Sequence, residues 1–149
     1  MTVFVPGKLR NPLNGSWGGW RKHARLAKDW RERTAQYIFV FSGKSNAAYA
    51  DLVDTLYPPS RAKTVTFTAH VGAKWDDDNL PSAIKPIRDG LVDAQVIHSD
   101  APDSGHTFVY RQVIDRKHRG VEIAVVPSPT FGGQPISWAT ARRISADGP

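Results

Sequence analysis

The stretch KTVTFTAHVGAKWDDDNL, residues 63–80, decides the fold prediction for this chain. Its first nine residues alternate between apolar side chains and threonine or histidine, a pattern typical of a β-strand with one buried face. Beyond the three aspartates, Asn79 is a suitable N-cap for a helix, and Pro86 should kink that helix or delay its start. Helical spacing is shown by Leu80, Ala83, Ile84, Ile87 and Leu91. The stretch therefore predicts a strand that leads through an acidic segment into a helix.

The rest of the chain predicts one small α+β domain, a mixed β-sheet with packed helices. Further strands are predicted over residues 2–6, 107–115 and 120–126, and further helices over residues 20–41 and 47–56. The helix at 20–41 has an apolar arc that runs from Trp20 to Phe41. We place residues 1–126 in the domain and expect residues 127–149, rich in Pro, Gly and Ser, to form a tail.

The charge of the chain is unevenly distributed. Twenty Lys and Arg against fourteen Asp and Glu give a net charge of +6, which attracts polyanions, although many small basic proteins share this property. Half of the acids nevertheless fall within one short segment, namely Asp76, Asp77, Asp78, Asp89, Asp93, Asp100 and Asp103. A bound cation explains this acidic island better than solubility does. Oxygen ligands favour Mg²⁺ or Mn²⁺ over Zn²⁺, and the absence of cysteine excludes thiolate metal sites.

Two interpretations of the acidic segment remain open on spacing alone. If the strand continued through Asp78, then Asp76 and Asp78 would project from one face, where close carboxylates repel unless a cation lies between them. The alternative is an Asx-rich turn that caps the helix. Lys85 lies nearly two helical turns beyond Asp78, where it could contact a phosphate. The alternative interpretation of Lys85, which spacing alone favours, is an i,i+4 salt bridge to Asp89.

Basic side chains on two segments are candidates for holding a nucleic-acid backbone. The helix at 20–41 carries six Lys and Arg against two acids. A solvated helix face with i,i+4 ion pairs is the alternative. Contacts of this kind position a nucleic acid without reading its sequence. The expected contacts are Arg21, Lys22, Arg25 and Lys28, with Arg116, Lys117 and Arg119 from the turn before the last strand.

The histidines and the N-terminus add little to the prediction. None of the five histidines shows ligand spacing with another, and His98 alone lies beside the acidic loop. We interpret the others as surface or strand residues: His23, His70, His106 and His118. No apolar run is long enough to span a bilayer, and the apolar start of the chain is too short for a signal peptide. We therefore expect a soluble protein inside the cell.

Several motifs together resemble a known family, the RusA-type Holliday junction resolvases of bacteria and their phages. They are Asp76-x-Asp78-Asn79-Leu80, Lys85, Asp89-Gly90-Leu91, Val96-Ile97 and Asp100, preceded by Pro12-x-Asn14 and Trp20-Arg21. The resemblance covers most of the chain from Pro6 to Val126. It implies a small α+β homodimer that binds a four-way DNA junction and uses Mg²⁺, or Mn²⁺ in its place, to cut two strands symmetrically. It also implies that Asp76, Asp78 and Asp100 are the metal-binding acids and that Lys85 is the catalytic lysine.

The chain departs from the family pattern in two places. Ser99-Asp100 stands where the family often has two aspartates, and the segment between Asn79 and Lys85 is longer than in the shortest members. Two other functions stay open, a junction-binding DNA protein that does not cut and a metal nuclease that acts on other branched DNA. A role in recombination or repair, in the cytoplasm of a bacterium or a phage-infected host cell, comes from the resemblance alone.

Overall fold

The computed structural model describes residues 1–10, 20–41, 58, 61–128, 130–131 and 134–135. In chain order the elements are β1 (Thr2–Pro6), α1 (Trp20–Phe41), β2 (Lys63–Val71), α2 (Asn79–Asp93), β3 (Thr107–Ile114), β4 (Gly120–Pro127), β5 (Thr130–Phe131) and β6 (Gln134–Pro135). The predicted α+β class is confirmed. The helix predicted over residues 47–56 lies outside the described residues. Neither described helix has the length and apolar character needed to cross a membrane.

The main sheet is mixed and has the strand order β1-β4-β2-β3. The pairs β1–β4 and β2–β4 are antiparallel, whereas β2 and β3 are parallel. Parallel neighbours need a crossover connection, and α2 supplies it. Because β2 and β3 run in the same direction, both strands end at one edge of the sheet. The acidic segment after β2 and the basic turn after β3 therefore leave the sheet at that same edge.

One face of the sheet forms the core with the two helices. In β2 the predicted alternation is confirmed, since Val65, Phe67, Ala69 and Val71 are all buried. The buried side chains that meet them come from the other strands and from α2: Val3, Val5, Val121, Ile123, Val125, Leu80, Ala83, Ile84, Ile87 and Leu91. Each buried Val, Leu or Ile side chain contributes roughly 1.5–3 kcal/mol relative to an exposed one. This shared core fixes α2, and with it Lys85, relative to the sheet.

The two helices meet at a close backbone approach. A Cβ atom added to Gly90 would lie 2.6 Å from the carbonyl oxygen of Arg31 and 2.8 Å from Cβ of Thr34. Trp30, Thr34 and Ile38 of α1 are buried, but Phe41, predicted on the same arc, is exposed. At 1.5 Å per residue α1 is roughly 33 Å long and α2 roughly 22 Å, so an end of α1 extends past its partner.

The predicted bounds of β2, residues 63–71, are confirmed, whereas the conditional extension of this strand and two predictions for α2 are not. The strand does not continue to Asp78, because β3 ends at Ile114 and β4 begins at Gly120, which leaves β2 without partners beyond Val71. The N-cap of α2 is Asp78 rather than Asn79, which is already helical. Pro86 does not delay the helix, which runs through it from the first residue of the Asn79–Asp93 range.

Candidate active site

Lys85 and Asp100 meet on the exposed side of α2. The lysine Nζ lies 2.6 Å from Oδ1 of Asp89 and 3.0 Å from Oδ2 of Asp100, which is fifteen residues away in sequence. The i,i+4 salt bridge that spacing favours is therefore present, and Asp100 shares the same ammonium group. The hydrogen bond to Asp89, aided by Asp100 and opposed by desolvation, raises the pKa of Lys85 above its usual value. Lys85 is thus a cation held between two carboxylates.

Arg88 is a second cation on Asp100, and sequence reasoning gave it no role. Its Nη2 lies 3.0 Å from Oδ2 of Asp100 and also donates to the backbone carbonyl of Asp100. Its Nη1 lies 3.2 Å from the hydroxyl oxygen of Tyr110, and the guanidinium carbon lies 4.3 Å from the centre of the Phe108 ring. Two features of the sequence could have indicated this role: the i,i+3 spacing of Arg88 from Lys85, and the aromatic residues at alternate positions of β3.

The two cations decide the ionisation of Asp100. Burial works to raise the pKa of this carboxyl group, but the hydrogen bond from Lys85 and the charges of Arg88 and Lys85 outweigh it. The net result is a pKa below the usual range, so Asp100 is ionised at neutral pH. Both cations contact the same oxygen, Oδ2.

Asp76, Asp77 and Asp78 form an exposed turn at the start of α2. The backbone N–H of Asn79 donates to the carbonyl of Asp76 at 3.0 Å, which closes the turn. Asp78 occupies the N-cap position, but its side chain makes no cap hydrogen bond. The segment is therefore closed by a backbone hydrogen bond, and the side-chain cap expected of an Asx turn is absent at Asp78. Near the N-terminus of a helix the negative charge of Asp78 is favoured by the helix dipole.

The structure brings Lys85 to Asp100, but it does not assemble the whole predicted metal site. Among the residues that the structure describes, no three acids or histidines lie together as a group that could hold a metal ion. Asp78 is the N-cap of α2, whereas Lys85 lies seven residues further along the chain, a rise of roughly 10 Å. The donor chemistry nevertheless suits Mg²⁺, because all three acids offer oxygen and Asp76 and Asp78 are exposed. The ligand set Asp76, Asp78 and Asp100 stays a prediction.

The basic face of α1 is partly engaged within the protein. Arg31 pairs with Asp93 of α2 at 2.5 Å, and Arg33 pairs with Asp29 at 2.7 Å. Lys28 lies 3.6 Å from Glu32 in an exposed pair, which holds the lysine only weakly. All four predicted contact residues of this helix are exposed: Arg21, Lys22, Arg25 and Lys28.

The turn between β3 and β4 is shaped by Asp115. Its Oδ1 accepts hydrogen bonds from the backbone N–H groups of His118 and Lys117, both at 2.9 Å, and these bonds lower the pKa of Asp115 to about 2. Arg116 and Lys117 are exposed. Arg119 instead folds back, and its guanidinium lies where a Cβ atom of Gly72 would be. This turn therefore adjoins the chain that leads from β2 into the acidic segment.

A pair of histidines anchors the far end of the loop that carries Asp100, contrary to the interpretation of His106 as a surface or strand residue. His106 is buried, and its Nδ1 accepts the backbone N–H of Lys63 at 3.2 Å. Its Nε2 must then carry the proton, which it donates to Nδ1 of His98 at 3.1 Å. Burial, with smaller contributions from His98 and Lys63, lowers the pKa of His106 to about 4. A spacing of eight residues through an irregular loop gives no periodic signal for such a pair.

No protein-family model matches this chain, and no curated protein matches it. The likeness to RusA-type resolvases therefore rests on the motif residues in the sequence. The contacts of Lys85 and Asp100 are independent of that likeness, because they come from the fold.

Proposed function

We propose that this protein is a Mg²⁺-dependent endodeoxyribonuclease that cuts four-way DNA junctions in the manner of RusA-type resolvases. One observation carries the proposal: Lys85 and Asp100 lie 3.0 Å apart on the exposed side of α2. The two residues belong to separate motifs, fifteen positions apart, and both motifs match the catalytic positions of that family. A chance match of two short motifs gives no reason for their side chains to meet.

Each side chain of the candidate site has a distinct part in this reaction. Asp76, Asp78 and Asp100 would hold Mg²⁺, which when bound supplies an activated water and charge stabilisation at the phosphate. Lys85 is a cation with a side chain that is 55% exposed, so it can reach a phosphate and offset the negative charge that develops there. Asp89, one turn along α2, directs the ammonium group toward this side of the helix.

The basic surfaces hold the DNA backbone, and two sites are needed for two cuts. Phosphate contacts come from the exposed side chains Arg21, Lys22, Arg25 and Lys28 of α1 and Arg116 and Lys117 of the turn, with Arg119 as a further basic residue there. Paired cleavage of two strands of like polarity requires one site per strand, which a homodimer provides. Such an enzyme acts in recombination and repair, in the cytoplasm of a bacterium or a phage-infected cell.

The deciding experiment is cleavage of an end-labelled four-way junction with Mg²⁺ or Mn²⁺. We expect paired, symmetric cuts from the unaltered protein and their loss in EDTA and in Asp78→Asn. The matched control is Asp77→Asn, which neutralises the neighbouring exposed acid that the proposal leaves without a role. Equal loss of cleavage in both variants would contradict the assigned ligand set.

The same assay separates the two other candidate functions. Flaps and linear duplex compete with the junction in parallel reactions. Cleavage of flaps as fast as junctions would identify a nuclease for branched DNA in general. Tight junction binding without cleavage in either metal would identify a binding protein and overturn the proposed enzyme.

A further inference from the structure

Arg88 holds Asp100 through more contacts than any other described side chain does. The guanidinium contacts the carboxylate and the backbone carbonyl of Asp100, which fixes the residue at two points. The same group is fixed by the hydroxyl of Tyr110 and the ring of Phe108, both on β3. The loop that carries Asp100 is therefore tied through Arg88 to both α2 and the sheet.

The two cations on Asp100 differ in how firmly each is held. The Arg88 side chain is 17% exposed and rests against an aromatic ring, whereas Lys85 is 55% exposed and divides its hydrogen bonds between two acids. Lys85 can move from Asp100 to a phosphate by rotating a flexible side chain. Arg88 cannot leave without giving up every one of its contacts.

We propose that Arg88 is a positioning residue for the cleavage site: it fixes Asp100, a proposed metal ligand, in place while Lys85 turns to the phosphate. This inference rests on the proposed function. Without Arg88, Lys85 would be the sole described side chain that holds Asp100, and its turn toward the phosphate would release the loop. With Arg88 in place, the loop keeps its position, and Asp100 stays paired with Arg88 after Lys85 has turned away.

The chemistry requires arginine rather than any cation at this position. A planar guanidinium donates several hydrogen bonds in fixed directions and stacks on an aromatic face. Lysine offers a single point of charge and cannot reach the carboxylate, the carbonyl and the tyrosine hydroxyl together. Arg88→Lys should therefore behave as a loss of positioning although the charge is kept.

The test compares Arg88→Ala with a matched control, Arg33→Ala. Arg33 makes the same kinds of contact elsewhere, with the carboxylate of Asp29, the backbone carbonyl of Pro6 and the ring of Trp30. Four quantities are measured for both variants: single-turnover cleavage of a four-way junction, junction binding in EDTA, thermal unfolding, and hydrogen exchange of residues 99–104. Cleavage is also measured with added methylguanidinium, which can enter the slot that the missing side chain leaves.

For Arg88→Ala we expect cleavage to slow by roughly tenfold to a hundredfold, the size of effect that misplacement of a reacting group produces. Junction binding in EDTA should change by less than about twofold, because the DNA contacts lie elsewhere. Exchange of residues 99–104 should be faster, and methylguanidinium should restore part of the rate. Arg33→Ala should cleave at the unaltered rate, and methylguanidinium should have no effect on it.

Three outcomes would overturn the inference or the function beneath it. If Arg88→Ala cuts as fast as Arg33→Ala, Arg88 does not position the site. If it cuts slowly but neither responds to methylguanidinium nor exchanges faster at residues 99–104, its effect is not exerted through Asp100. If the unaltered protein does not cut, the proposed function fails first, and the positioning role fails with it.

Discussion

The acids of the candidate site differ sharply between its two parts. Asp100 is partly buried and pairs with Lys85 and Arg88, while Asp76 and Asp78 lie exposed in the turn that starts α2. The first part is preorganised by contacts between distant segments. The second is an accessible pair of carboxylates that suits a ligand arriving from solvent. The predicted ligand set therefore combines one acid that the fold holds in place, Asp100, with two that face solvent, Asp76 and Asp78.

Removal of Asp100 and removal of Asp78 should lower the stability of the protein by different amounts. Asp100→Ala should lower the free energy of unfolding by about 2–3 kcal/mol, because it leaves Arg88 partly buried without its counter-ion. Asp78→Ala should lower it by about 0.5 kcal/mol or less, since only a dipole interaction at the helix N-terminus is lost. Urea unfolding at neutral pH measures both. Similar losses in the two variants would show that Asp100 is no more firmly held than Asp78.

The histidine anchor of the loop that carries Asp100 predicts a pH dependence of stability. The pKa of His106 is about 4 in the folded protein and near 6.5 in the unfolded chain, so the unfolded state binds more protons between these values. Stability should therefore fall as the pH drops below about 6.5, by roughly 1–2 kcal/mol between pH 7 and pH 5.

His106→Asn tests this pH dependence because it keeps an acceptor near the Nδ1 position but cannot titrate. The variant should lose less stability than the unaltered protein over the same pH interval. His23→Asn is the matched control, since His23 belongs to the helix α1 and not to the loop. If His106→Asn and His23→Asn show the same pH dependence, the buried pair does not contribute.

The smallest expected effect concerns the exposed charges of α1 compared with the engaged ones. Replacement of both Lys22 and Arg25 by Gln should lower the slope of log K against log salt for junction binding by about 2, nearly one per phosphate contact. Arg31→Gln removes a cation that pairs with Asp93 and should leave the slope unchanged. Filter binding over a range of salt concentrations measures the slope. An equal change in both variants would remove the distinction between the two groups of basic residues.

Much of the fold could be predicted because its signals are local. The alternation of Val65 and Phe67 with threonines marked β2, and the apolar repeat through Ile84 and Ile87 marked α2. Strand ends followed from the same patterns: β2 ends at Val71 as predicted, and the ends of β3 and β4 each differ from the prediction by one residue. The exposure of Phe41 was not predicted, because its position on the apolar arc indicates burial.

The residues of the candidate site and their spacing could be read from the chain: an acidic segment, Lys85 with Asp89 one turn away, and Asp100 in a later loop. Tertiary packing alone brings Lys85 to Asp100, places Arg88 on the same carboxylate, and pairs His98 with His106. These contacts could not be predicted because the residues that make them are far apart in sequence. Helix and strand patterns arise between residues a few positions apart, whereas these contacts depend on how the α2 crossover lies on the parallel pair β2 and β3.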